Sequence, residues 1–322
     1  MNVVVFDTAI GSPNLGDQII MEAVRTEITA LFPEAFLFNV PTHGEIGKHG
    51  RRLLRKADHI FAGGTNLLFS HWSRKRQWKL RLRDLIASDR KLVLLGTGWT
   101  DYQSPPDWRA RFAYDRLLSR RALHSLRDSY SVRQLQSCGR ERVVNTGCPT
   151  LWQLGDLGPT HVSDRPETVV TTVTDYRKAP GHDRAMLEIL KTRYKRVLIW
   201  IQGAGDLQYV RELDISGLEM VNPSLGAFDN VLSANPPVDF VGTRLHAGIR
   251  ALQKKRRALI LSVDNRAREM ARDFDLPVIE RGNMDALEQH LDNWPRLAIK
   301  LPEKEIAAWR GQFARTSQGA TE

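Results

Sequence analysis

The sequence predicts an α/β protein of two doubly wound domains, each a parallel sheet with helices on both faces. Three observations lead there. Short apolar runs alternate with longer amphipathic ones from the first residues to about residue 145. The alternation breaks over residues 155–167 (GDLGPTHVSDRPE), rich in Gly, Pro and polar side chains, and then restarts. The length, 322 residues, is that of about two domains. Strands alternating with helices form parallel sheets, because a parallel pair needs a crossover connection. The expected division is residues 1–155, residues 165–295, and a helix and tail over 296–322 that pack back toward the first domain. Two such domains facing each other would leave a central cleft between the carboxyl ends of their strands, where open α/β sheets bind ligands.

Each element has its own signal. Residues 3–6, 35–40 and 59–62 read as strands, the last stopped by Gly63 and Gly64. Residues 17–31 form a helix that ends before Pro33. Trp78, Leu82, Leu85 and Ile86 fall at i, i+4, i+7 and i+8, one helical face expected to meet the core. Residues 91–95 are a strand closed by Gly96-Thr97-Gly98, and 105–118 a helix opened by Pro105 and Pro106. Strands at 123–126 and 142–145 flank a helix over 129–138, with Gly139 past its end. Beyond the break come strands at 168–174, 196–202, 238–241, 258–263 and 277–279. Helices are expected at 182–194, 206–213, 224–234, 245–253 and 266–274, from Asp285, and at 303–313.

Composition bounds the function. The chain carries 47 Lys and Arg against 37 Asp and Glu, a formal charge of +10, which favours an anionic partner. No apolar run reaches the roughly 18–20 residues that a spanning helix needs. The N-terminus lacks a basic segment and meets Asp7 directly after its apolar run, so it reads as a strand and not as an export signal. Two cysteines, Cys138 and Cys148, make neither a disulfide scaffold nor a zinc site. A cytoplasmic protein is expected. Nucleic acid is disfavoured, because no recognised binding module accompanies the charge.

Four segments stand where strands end. Asn14-Leu15-Gly16-Asp17 leads into the first helix: Gly16 permits close backbone approach, Asn14 offers hydrogen bonds, and Asp17 can orient or take a hydroxyl proton. The same residues would also suit plain helix capping. Gly63-Gly64-Thr65-Asn66 either lets the backbone touch a ligand or lets a helix pack close. Arg127, before Asp128 and Ser129, can fork onto a carboxylate or phosphate, or pair structurally with Asp128. The sharpest is Gly242-Thr243-Arg244-Leu245-His246, where an apolar strand yields to a helix. Arg244 and His246 would project from its first turn beside free N–H groups, giving an anion site with a proton shuttle. The basic run Arg74-Lys75-Arg76 through Arg83 is either a solvated face or a peripheral hold on an anionic membrane.

Together these segments resemble the polysaccharide pyruvyltransferase family. Asn145-Thr-Gly-Cys-Pro149, Thr174-Asp-Tyr176 and Ser262-Val-Asp264-Asn265-Arg266-Ala267 add to the likeness, which spans about residues 3–290. The resemblance implies two Rossmann-like domains arranged as in GT-B glycosyltransferases, the first on the acceptor side and the second holding the donor. It implies transfer of the pyruvyl group of phosphoenolpyruvate to a sugar as a ketal, in exopolysaccharide biosynthesis, with release of phosphate. By motif, Arg244 and Leu245 belong to the donor-holding segment, His246 is the catalytic histidine, and Arg127 is a further donor-binding arginine. Asp17 is expected to act on the acceptor, with Asn14, Gly16, Gly63, Gly64, Thr65 and Asn66 in neighbouring cleft loops. No metal or other cofactor is expected. The acceptor would be a polysaccharide or lipid-linked oligosaccharide. Two other readings use the same residues: a GT-B enzyme taking a nucleotide sugar, and a non-catalytic binder of anionic glycan or membrane.

Overall fold

The computed structural model describes residues 1–72, 77–155 and 166–314. Most of the expected linker, and Arg74, Lys75 and Arg76, lie outside the described residues. The chain forms two compact units. The first comprises Met1–Ser12, Ile20–Trp152 and the described residues from Leu301 onward; the second comprises Pro13–Ile19 and Gln153–Lys300. Residues 13–19 thus belong with the second unit, unlike the expected division. Backbone hydrogen bonds explain this: Leu15 N–H donates to Gln202 O (2.9 Å), and Ala204 N–H to Pro13 O (2.8 Å).

The first unit holds strands β1 (Asn2–Asp7), β2 (Phe36–Pro41), β3 (His59–Gly63), β4 (Asn66–Leu68), β5 (Leu92–Leu95), β6 (Gly98–Trp99), β7 (His124–Leu126) and β8 (Val143–Asn145). Four of them form a parallel sheet in the order β2-β1-β3-β5, while β4 with β6 and β7 with β8 make parallel pairs. Alternation along β1 serves two cores. Val4 and Phe6 join Ile60, Leu94 and Trp99 on one side. Val3 and Val5 join Ile20, Val24 and Phe61 on the other, together with Trp309. A strand buried on both faces reads as a continuous apolar run, which is why VVVF signalled it. The C-terminal helix Glu303–Gly311 is fixed in this second core by Trp309, whose Nε1 donates to Leu94 O (3.2 Å).

One expected face is corrected. The helix near residue 82 spans only Leu82–Ser88, and its start is set by Arg81 N–H donating to Asp84 Oδ2 (2.8 Å). Trp78 is therefore outside it, and the inward face is that of Asp84, Leu85 and Ser88. Leu82 and Ile86, expected in the core, are 62% and 69% exposed. Several elements gave no usable signal: β4, β6 and the helix Pro149–Trp152 are only two to four residues long. The helix Lys48–Lys56 (KHGRRLLRK) buries Leu54 alone, too little for a readable period.

A further missed element is an edge strand of the second unit. Its strands are β9 (Thr168–Thr172), β10 (Arg196–Trp200), β11 (Leu218–Val221), β12 (Asp239–Gly242), β13 (Ala258–Ser262) and β14 (Val278–Glu280). They form one parallel sheet in the order β11-β10-β9-β12-β13-β14. β11 lies at its edge with Glu219 and Met220 exposed, so no apolar run marks it. The winding reverses between β9 and β12. At such a switch point the connections leave in opposite directions and open a crevice at the carboxyl ends.

Candidate active site

The helix Leu245–Gln253 starts at that switch point, and small residues bring it there. A Cβ on Gly242 would stand 2.4 Å from Thr172 Oγ1, so only glycine lets β12 end this close to β9. Thr243 N–H donates to Thr172 O (3.0 Å), and the Thr174 and Thr243 hydroxyls are 2.8 Å apart. Arg244 N–H donates to Thr172 Oγ1 (3.2 Å). Leu245, Ile249 and Leu252 are buried, as their spacing predicted. The first turn therefore leaves a pinned strand end in a fixed direction.

Arg244 is only 5% exposed and fully engaged on one edge. Its Nε donates to Asp206 Oδ2 (3.1 Å) and to Val173 O (3.3 Å), while one terminal nitrogen, Nη2, pairs with Asp206 and with Asp175 Oδ1 (3.0 Å). Its guanidinium also lies over the Tyr176 ring, 5.2 Å from the centroid. Asp206 is buried and held by Gly203 N–H (2.7 Å). Burial lifts its carboxyl above the ordinary range, although Arg244 and the Gly203 N–H pull the other way. Gly203 is required here: a Cβ would stand 2.5 Å from Arg244 Nη2.

A second arginine faces the same space. Arg266 opens the helix Asn265–Phe274 and donates through Nε to both oxygens of Asp264 (3.1 and 3.0 Å). Asp264 also accepts from the Tyr176 hydroxyl (3.1 Å). Burial opposes the charge on Arg266, but Asp264, Tyr176 and Asp17 outweigh it and hold the guanidinium protonated beyond its usual range. Among the described residues no hydrogen bond engages Nη1 of either Arg244 or Arg266. Each guanidinium thus keeps one NH2 group outside these internal hydrogen bonds.

The pocket between these groups has a volume of about 20 Å³, room for one water. Arg244, Leu245, His246, Arg266, Asn14 and Gln202 line it. His246 is buried in the first helical turn. Asn14 Oδ1 accepts from Gly16 N–H (3.1 Å) and from Gln202 Nε2 (2.8 Å). That pair fixes the amide orientation of Gln202 and leaves its buried Oε1 without a partner. Gly16 belongs to this contact, since a Cβ there would stand 2.7 Å from Gln202 Nε2. The structure therefore brings together Asn14, Gly16, Arg244, Leu245 and His246, with Asp17 close enough to act on Arg266. Sequence reasoning missed Gln202 and Asp206. The signal was there in Gln202-Gly203-Ala204-Gly205-Asp206, polar and glycine-rich directly after an apolar strand.

The remaining expected residues meet in the first unit. Arg127 is fully buried and donates to Asp128 Oδ2 (Nε, 3.0 Å) and Asn66 Oδ1 (Nη1, 2.6 Å). Asp128 in turn caps the helix Ser129–Gln136 by accepting from Ser131 N–H (2.7 Å). A Cβ on Gly98 would stand 2.1 Å from Arg127 Cζ, so that glycine makes room for the guanidinium. Gly63 and Gly64 let a helix approach: their Cβ positions are filled by Val24 and Ile20. Thr65 adopts φ 48°, a left-handed conformation rare for a β-branched residue. Among the described residues no cluster of three or more His, Cys, Asp or Glu could hold a metal ion.

The model of the polysaccharide pyruvyl transferase family matches residues 14–265, from the Asn14 loop to the Asp264 segment. The chain belongs to the polysaccharide pyruvyl transferase family. It is a pyruvyltransferase, and Asn14, Gln202, Arg244 and His246 of the pocket lie inside the matched region, with Arg266 directly beyond its end. Among solved structures it is similar to the UDP-GlcNAc 2-epimerase of Methanocaldococcus jannaschii in complex with UDP-GlcNAc and UDP. That likeness has a TM-score of 0.54 at 10% identity, covering 98% of this chain and 100% of the other. It is also similar to the heptosyltransferase WaaC of E. coli with ADP-2-deoxy-2-fluoro heptose. There the TM-score is 0.47 at 14% identity, covering 91% of this chain and 99% of that one. At such identities the first likeness shows the fold alone, the Rossmann-like α/β architecture of the GT-B type. The comparison with curated proteins gives no match.

Proposed function

We propose that this pyruvyltransferase takes phosphoenolpyruvate as donor and joins its pyruvyl carbon to two hydroxyls of a saccharide, forming a ketal and releasing phosphate. One observation carries the reading: Arg244 and His246 share the start of a helix with Arg266 opposite, and both guanidinium groups keep an unengaged Nη1. These NH2 groups, at the start of a helix, suit a carboxylate and a phosphate.

The pocket is too small for the donor while Arg244 holds Asp175. The donor's anionic group replaces Asp175, the more exposed partner, and buried Asp206 keeps the guanidinium oriented. His246 then gives a proton to C3 of the enol, and positive charge develops at C2. The first sugar hydroxyl adds to C2 and loses its proton to Asp17. The second hydroxyl attacks C2 as the C–O bond to phosphate breaks, and its proton returns to His246. One hydroxyl proton ends in the new methyl group and the other leaves with phosphate. For Arg127, burial and its two partners favour a role at one remove, holding Asn66 and Asp128 in place. A lipid-linked acceptor and a cytoplasmic, membrane-surface place of action belong to the same proposal. No helix among the described residues is long and apolar enough to cross a membrane.

Binding tests the donor. Phosphoenolpyruvate is expected to raise the melting temperature of the full chain, and Arg244→Lys to remove most of that rise. Stabilisation by a nucleotide sugar and not by phosphoenolpyruvate would assign the pocket to a different donor.

A further inference from the structure

We propose that the outer face formed by the helices Leu82–Ser88 and Trp108–Leu117 docks on an anionic phospholipid surface. This names the face for the membrane-surface place of action proposed above and rests on that part of the reading, but it does not depend on the donor. Each helix presents an outward apolar pair at i, i+4: Leu82 with Ile86, and Trp108 with Phe112. Trp108 is 72% exposed and Phe112 46%. Leu82, Ile86 and Phe112 line a groove of about 240 Å³, with Arg90, Arg116 and Asp89. Four large apolar side chains so close together, and so exposed, need a partner that removes them from water.

The charge around them says which partner. Residues 79–121 contain ten Lys and Arg against five Asp and Glu, so about half of the chain's surplus lies in this stretch. The acids are largely committed. Asp84 is buried and Asp107 caps its helix, while Asp115 pairs with Arg90, Arg120 and Arg140. Cations sit at the level of the rings: Arg109 Cζ is 5.2 Å from the Trp108 centroid, and Arg116 Cζ 5.4 Å from that of Phe112. Apolar side chains in the plane of a bilayer interface, ringed by arginines, match the lipid boundary below and its phosphates above. A polyanion such as nucleic acid would use the arginines but give Leu82 and Ile86 nothing to enter.

Cosedimentation of the full chain with phosphatidylcholine vesicles, with and without phosphatidylglycerol, tests this. The chain should bind the anionic vesicles and leave the neutral ones. The paired change Leu82→Ser with Ile86→Ser should weaken binding about 10-fold or more, since both side chains would lose their apolar burial. Arg109→Glu with Arg116→Glu should weaken it comparably. All four positions are exposed, so both variants should melt like the parent chain. No cosedimentation would overturn the proposal. So would binding that the Leu82/Ile86 change leaves intact, which is the result for arginines acting alone on any polyanion.

Discussion

His246→Ala should abolish turnover: kcat is expected to fall by about 10³-fold or more, within the range that a positioned proton donor contributes. The helix should survive, because Leu245, Ile249 and Leu252 pack it into the core. Stabilisation by phosphoenolpyruvate should persist, since the anion's partners are Arg244, Arg266 and the helix start. His246→Gln offers hydrogen bonds but no transferable proton, and should be as inactive as the alanine variant. The check is single-turnover kinetics beside a melting curve for each variant. Activity within about 10-fold of the parent in either would remove His246 from the proton-transfer step.

Arg244→Ala is expected to cost both stability and donor binding. Asp206 is buried with Arg244 as its cationic partner, and breaking a buried pair by deleting one side costs about 3–5 kcal/mol. The second change, Asp206→Asn, separates the two roles. In the Arg244→Ala background it removes the uncompensated carboxylate, so stability should partly return while phosphoenolpyruvate binding stays lost. Denaturant unfolding with a donor titration reads both. Recovery of binding along with stability would mean that Arg244 acts only as scaffold.

Much of this was legible in the residues. The helix over residues 245–253 was readable because an apolar strand, a glycine and a 3.6-residue period occur in succession at Gly242. The buried strands announced themselves as VVVF and ALIL, since a strand covered on both faces has no polar positions to blur it. The helix at Leu82–Ser88 misled for the opposite reason. Its apolar residues follow a helical period, but period alone does not say whether the stripe meets a core or an outside partner. Arg127 could not be assigned from sequence, because a guanidinium paired with Asp128 and one waiting for a ligand look alike. Gln202 and Asp206 carried a local signal, but their roles depend on partners, Asn14 and Arg244, that stand far away along the chain.

Mass spectrometry of the reaction itself is the most direct test. The chain is incubated with phosphoenolpyruvate and a pool of lipid-linked oligosaccharides, and phosphate is measured in parallel. The account predicts one acid-labile pyruvyl adduct per acceptor, carried on two former hydroxyls, with one phosphate released for each. It also predicts that the His246→Ala chain yields neither. Phosphate release without an adduct, or a glycosyl adduct from a nucleotide sugar with phosphoenolpyruvate untouched, would contradict it.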